Sequence, residues 1–203
     1  RITVRHLGWP ADTVDLQPRP SNFADLMQHM KHEKADVILA AFGFNESFAG
    51  PAGADAFKNK LRGFMDELRS SAFNGETAPK VILLSPIANE RVEGVDAAAL
   101  NNSNLEVYTE IMRGVAADLE IGFIDVFHST GEEMASPGND LTFNGVHLND
   151  EGYQLFSRLV YRGLFQQEPK VVSEDLRTVV IDKNRQYFRR YRPLNTLLHR
   201  GAK

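Results

Sequence analysis

Asp36-Val37-Ile38-Leu39-Ala40-Ala41-Phe42-Gly43-Phe44-Asn45-Glu46-Ser47 decides the reading of this chain. An apolar run of this length, entered from a charged stretch and left through glycine, fits a strand buried on both faces of a parallel sheet. Polar residues directly after such a strand stand where open parallel sheets bind ligands, beyond the carboxyl ends of the strands. Lys80-Val81-Ile82-Leu83-Leu84 and Gly122-Phe123-Ile124-Asp125-Val126 have the same character, and Ile2-Thr3-Val4 is a shorter candidate.

Helical periodicities lie between these runs. Ser21 is placed to cap a helix carrying Phe23, Leu26, Met27 and Met30. Phe57, Leu61, Phe64, Met65 and Leu68 mark a second helix, and Leu105, Tyr108, Ile111, Met112, Val115 and Leu119 a third. Asn149 precedes a fourth, with Tyr153, Phe156, Leu159, Val160 and Leu164, and a last helix is expected between Ser173 and Arg190. The alternation predicts an α/β domain with a parallel sheet and right-handed crossovers. Residues 1–168 are expected to form that domain and 169–203 a helical, basic extension.

Composition narrows the classes. The chain has 203 residues, 42% hydrophobic and 25% charged, which suits one globular domain and argues against wholesale disorder. It contains no cysteine, so thiolate catalysis, disulfides and cysteine-based zinc sites are excluded. No eighteen-residue apolar run exists to span a membrane. The net charge of −4 argues against nucleic-acid binding by overall charge. The charge is uneven, however. Lys183–Lys203 holds seven basic residues and no acidic one, leaving 16 basic against 27 acidic elsewhere. Tyr187, Phe188 and Tyr191 interleave with that basic run, which either binds an anion, lies across the acidic body, or leads into a further domain.

Chemistry is sought after each strand. Arg5-His6-Leu7-Gly8-Trp9-Pro10-Ala11-Asp12 follows the first, Gly43-Phe44-Asn45 the second, and Asn144-Gly145-Val146-His147-Leu148-Asn149 lies beyond the last. A glycine N–H and an asparagine amide are suitable oxyanion donors, and a histidine ahead of a helix suits a general base.

In this order the blocks resemble the SGNH (GDSL-like) hydrolase family. Gly8 looks like the glycine of the family's second block. Gly43-Phe44-Asn45-Glu46 looks like the third, and Asn144-Gly145-Val146-His147 like the final Asp-x-x-His pair. The resemblance implies a flavodoxin-like three-layer α/β/α sandwich. It implies a serine esterase or acylhydrolase acting on carboxylic esters, acetyl esters of carbohydrates among them, without metal or cofactor. His147 would be the base, Asn144 its orienting partner, and Gly8 and Asn45 the oxyanion hole.

Two departures stand out. No serine lies in a Gly-Asp-Ser setting, so the nucleophile block and the first strand are expected to be missing from the sequence, and Ser47 is a weak substitute. Asn144 stands where the family has aspartate. Both leave open an alternative, a catalytically inactive binding module of the same fold. Metal-dependent hydrolysis through His128 and His147 has no ligand spacing behind it. Trp9 either stacks on a sugar or belongs to the core, and Phe44 and Phe48 offer an apolar rim. The compartment is left open.

Overall fold

The computed structural model describes residues 2–136 and 138–191, with the side chain of Tyr191 excepted. Packing divides the chain into two units, Arg1–Gln167 and Glu168–Lys203.

The first unit is built on three parallel strands in the order β1-β2-β3: β1 Val37–Ala41, β2 Lys80–Leu84 and β3 Gly122–Ile124. The register pairs Val37 with Lys80, Ala41 with Leu84, and Leu84 with Ile124, so all three strands end on the same edge. Helices connect and flank them: α1 Leu26–Glu33, α2 Phe44–Ser47, α3 Ala54–Ser70, α4 Ala98–Asp118, α5 Phe127–Met134 and α6 Asp150–Phe165.

The layers follow from strand alternation. Ala40, Val81 and Leu83 point to one face, where they meet Met30 of α1, Leu61, Met65 and Leu68 of α3, and Tyr108, Met112 and Val115 of α4. Fully burying one such side chain is worth about 1.5–3 kcal/mol, so this layer dominates stability. The opposite face carries Ile82, Leu84 and Ile124, covered by Phe156, Leu159, Val160 and Leu164 of α6. The result is the expected three-layer α/β/α arrangement around a parallel sheet.

The structure corrects several local expectations. Ile2–Val4 is not a strand, and Ile2 and Val4 are 90% and 72% exposed. Three residues with neither a ladder partner nor burial cannot offset the entropy of being ordered. β1 is covered on one face only: α6 spans β2 and β3, and Val37 and Leu39 stay 53% and 44% exposed. The third strand stops at Ile124, because the buried Ser85 hydroxyl accepts the next N–H groups, Val126 and Phe127, each at 2.9 Å. Those residues turn instead into α5, whose first turn is tied by the His128 N–H donating to Asp125 Oδ1 at 3.0 Å. Asp25, not Ser21, caps α1, through a capping box with Gln28.

Among the described residues of the second unit, α7 Glu174–Tyr191 fills the expected span and carries the start of the basic run. Arg192–Lys203 lies outside the described residues. Among the described residues no helix is long and apolar enough to cross a membrane.

Candidate active site

The loop after β1 is shaped by Gly43 and Glu46. Gly43 has φ +98°, in the left-handed region that favours glycine, and a Cβ there would meet Met112 Sδ at 3.1 Å. Its N–H donates to Glu46 Oε2 at 2.9 Å, while Glu46 Oε1 accepts the Val14 N–H at 2.8 Å. Glu46 therefore ties the loop holding Gly8 to the loop holding Asn45, and buried Val14 pins the former to the core. Glu46 also helps raise the pKa of Tyr108, although burial is the larger cause. The Tyr108 hydroxyl donates to the Gly50 carbonyl at 3.0 Å.

Asp12 makes a second tie between these loops. Its carboxylate accepts the Trp9 N–H at 2.8 Å and both terminal nitrogens of Arg19 at 2.6 and 2.9 Å. This pair is largely buried, with side chains 7% and 11% exposed, which favours a fixed, charge-assisted geometry. The Asp12 carbonyl accepts one N–H of the Asn45 amide at 3.0 Å. An amide carries two such hydrogens, and the Asn45 side chain is exposed. Gly8 is exposed, and a Cβ on it would come no closer than 3.7 Å to His6, so crowding does not demand glycine there.

The aromatic residues divide. The Trp9 ring stands edge-on to Phe23 at 5.1 Å and under the Arg19 guanidinium at 5.1 Å, which gives it intramolecular partners. Phe44 packs inward beside Ala88, Leu105 and Phe127, while Phe48 is 61% exposed. Ser47 is buried, and its hydroxyl donates to the Phe44 carbonyl at 2.7 Å, as a helical serine does rather than a nucleophile.

Asn144 and His147 are brought together in the loop before α6. The Asn144 Oδ1 accepts the His147 backbone N–H at 3.0 Å and faces His147 Nδ1 at 3.1 Å. A carbonyl oxygen can only accept, so Nδ1 is the donor in this contact. The Phe143 ring stacks on the imidazole, with centroids 5.5 Å apart and planes 17° apart. Asn149 caps α6 by accepting the Gly152 N–H at 2.9 Å. The Asn144–His147 pair and the Asn45–Asp12 pair belong to separate hydrogen-bond networks on loops beyond the sheet's carboxyl edge.

His128 is committed elsewhere. Its Nδ1 lies 2.7 Å from Asp125 and its Nε2 3.1 Å from Glu106. The hydrogen bond to Asp125 is the largest cause holding its pKa above the usual imidazole value.

The local sequence did not single out Asp12, Glu46 or Glu90 as determinants of these loops. Glu46 lay within reach, since a glutamate three residues after a helix-entry glycine can reach back to its N–H. The Asp12 carboxylate bonds the nearby Trp9 and Arg19, and the contact to Asn45 is made by its backbone carbonyl, which carries no residue-type signal.

Comparison with solved structures agrees with this fold. An acetyl xylan esterase, AlAXEase, superposes with a TM-score of 0.52 at 21% identity, over 66% of this chain and 69% of that chain. A catalytic mutant of Axe2, an acetylxylan esterase from Geobacillus stearothermophilus, gives a TM-score of 0.51 at 15% identity, over 73% of this chain and 71% of that chain. None of the curated proteins matches the chain by sequence. The family model for GDSL-like lipases and acylhydrolases matches residues 1–155, a span that takes in the Gly8, Asn45 and His147 loops, and the chain belongs to that family.

Proposed function

We propose that this protein is an SGNH-type serine esterase that hydrolyses carboxylic esters, acetyl esters of carbohydrates being the preferred substrate class. Membership of a family of lipases and acylhydrolases supports ester hydrolysis. The acetyl preference draws on the two acetyl xylan esterases that share its fold. The catalytic unit in this reading is Arg1–Gln167.

The observation that supports the reading most directly is the 3.1 Å contact between Asn144 Oδ1 and His147 Nδ1. With Nδ1–H held by Asn144, Nε2 is free to take a proton. None of the 203 residues offers a Gly-Asp-Ser block, so this reading needs a serine nucleophile that these residues do not supply. His147 Nε2 removes the serine proton as the hydroxyl oxygen bonds to the ester carbonyl carbon. The charge that develops on the carbonyl oxygen is met by the spare Asn45 amide hydrogen and the Gly8 N–H. His147 then returns the proton to the departing alcohol as the ester C–O bond breaks. Water, deprotonated by His147, finally cleaves the acyl-enzyme.

A second reading, a binding module without turnover, is favoured by Asn144, which offers no negative charge to an imidazolium. Labelling separates the two. The gene's full-length product is treated with a fluorophosphonate, followed by intact mass and fragment mapping. An adduct on a serine outside these 203 residues is expected. No adduct supports the binding module, and an adduct on Ser47 overturns the nucleophile assignment.

A further inference from the structure

We infer that Glu90 and Thr142 are positioning residues for His147, forming a buried clamp that sets the loop from which the imidazole projects. The inference rests on the reading of His147 as the general base.

His147 and Asn144 are themselves exposed, so packing alone does not place them. The groups that hold their backbone, Glu90, Leu141, Thr142 and Gly145, are buried. Glu90, 7% exposed, stands in the chain after β2, yet its carboxylate accepts the Leu141 N–H at 2.8 Å and the Thr142 N–H at 2.7 Å. It also accepts the Thr142 hydroxyl proton in a very short hydrogen bond. The Thr142 Oγ1 in turn accepts the Gly145 N–H at 2.9 Å. The Gly145 carbonyl accepts the Glu90 N–H at 2.8 Å and the Asn89 amide at 2.9 Å. Gly145 lies between Asn144 and His147 with φ +88°, and a Cβ there would meet the Glu90 carbonyl oxygen at 3.0 Å. The loop is thus held on both sides of Asn144. The Phe143 N–H donates to the His147 carbonyl at 3.0 Å and closes the hairpin.

The clamp is anchored in its turn to α4. Asn89 Oδ1 accepts from Asn101 at 2.6 Å, its N–H donates to Asn102 Oδ1 at 2.7 Å, and its carbonyl accepts the Asn102 amide at 2.8 Å. The clamp is therefore tied to α4, whose inner face packs into the core.

A buried carboxylate is an inefficient source of stability, because its desolvation offsets much of what its hydrogen bonds contribute. It is a good source of geometry, since one group of fixed shape satisfies three donors at once. That argues for a role in placing His147 rather than in holding the fold alone. Misplacing a reacting group by about 1 Å costs about a hundredfold in rate.

The test compares Glu90→Gln, Thr142→Val and Thr142→Ser in the gene's full-length product, with His147→Ala alongside. The readouts are kcat and KM on p-nitrophenyl acetate, and the NMR signals of the His147 ring. Thr142→Val and Glu90→Gln are expected to lower kcat by about tenfold to a hundredfold with KM held within about twofold. They should also broaden or shift the His147 ring signals, while Thr142→Ser, which keeps the hydroxyl, stays at the parent's kcat. If Glu90→Gln does not fold, the Thr142 pair decides. A folded Thr142→Val with the parent's kcat and an unchanged His147 spectrum overturns the clamp. Full activity in His147→Ala would instead overturn the reading on which it rests.

Discussion

The Asn144 side-chain oxygen lies 3.0 Å from the His147 backbone nitrogen and 3.1 Å from its ring Nδ1, so one amide contacts both the backbone and the ring of the candidate base. Asparagine performs the orienting half of an aspartate's work and omits the charge. Asn144→Ala should therefore lower kcat by at least about tenfold, and Asn144→Asp should raise it above the parent, because a carboxylate stabilises the imidazolium as it forms. Steady-state kinetics on p-nitrophenyl acetate checks both. An Asn144→Asp variant slower than the parent would show that the loop is built for the neutral amide.

Asn45 donates one amide hydrogen to the Asp12 carbonyl and carries a second. If that hydrogen meets the oxyanion, Asn45→Ala should lose about 10²–10³ in kcat with little change in KM. Comparable losses in both parameters would point to a binding contact instead.

Gly152 is required by close approach. A Cβ on it would lie 2.1 Å from the Leu141 carbonyl oxygen, which already accepts the Asn149 N–H at 3.0 Å. Gly152→Ala should destabilise the protein by about 1–3 kcal/mol, since α6 must retreat from the His147 loop. Urea unfolding measures it, and a midpoint equal to the parent's would show that the helix yields without cost.

The His128 bridge between α4 and α5 gives a pH-dependent contribution to stability. The hydrogen bond that the His128 ring donates to Asp125 raises the His128 pKa, opposed by burial and aided by the charges of Asp125 and Glu106. Burial works to raise the Asp125 pKa, but hydrogen bonds from the His128 backbone and ring and from Arg113 outweigh it and leave the pKa low. The raised His128 pKa contributes stability that is complete below the ordinary imidazole value and lost as pH rises through the folded one. The lowered Asp125 pKa contributes stability present above the ordinary carboxylate value and lost as pH falls through the folded one. The bridge is therefore strongest between about pH 4 and pH 6.5. Thermal unfolding at pH 5.5 and pH 9 should show the parent losing more stability than His128→Gln over that interval. Parallel losses in the two proteins would dismiss the bridge.

Local pattern revealed the sheet and its helices wherever one short stretch held the whole signal. Lys80–Leu84 was legible because a charged residue opens an apolar run, and Asn149 because a cap immediately precedes its amphipathic helix. Asp25 could have been found too, from the glutamine three residues on. Long-range contacts were not legible. The end of β3 is set by a serine hydroxyl 41 residues away, and the His147 loop by a glutamate 51 residues before Leu141. The single covered face of β1 depends on where α6 lies, which no strand sequence encodes. At the site, His147 and Asn45 stood out by residue type and place. Glu46 was within reach from its spacing after Gly43, whereas Glu90, which holds the His147 loop from 51 residues away, looks in sequence like an ordinary surface acid.

The account stands or falls on His147 as the base of an ester hydrolase. The most direct measurement is the rate of acetate release from an acetylated xylooligosaccharide by the gene's full-length product, beside its His147→Ala variant, with both shown to be folded by circular dichroism. The account predicts measurable turnover in the parent and a loss of at least about a thousandfold in the variant. Equal turnover in the two would contradict it.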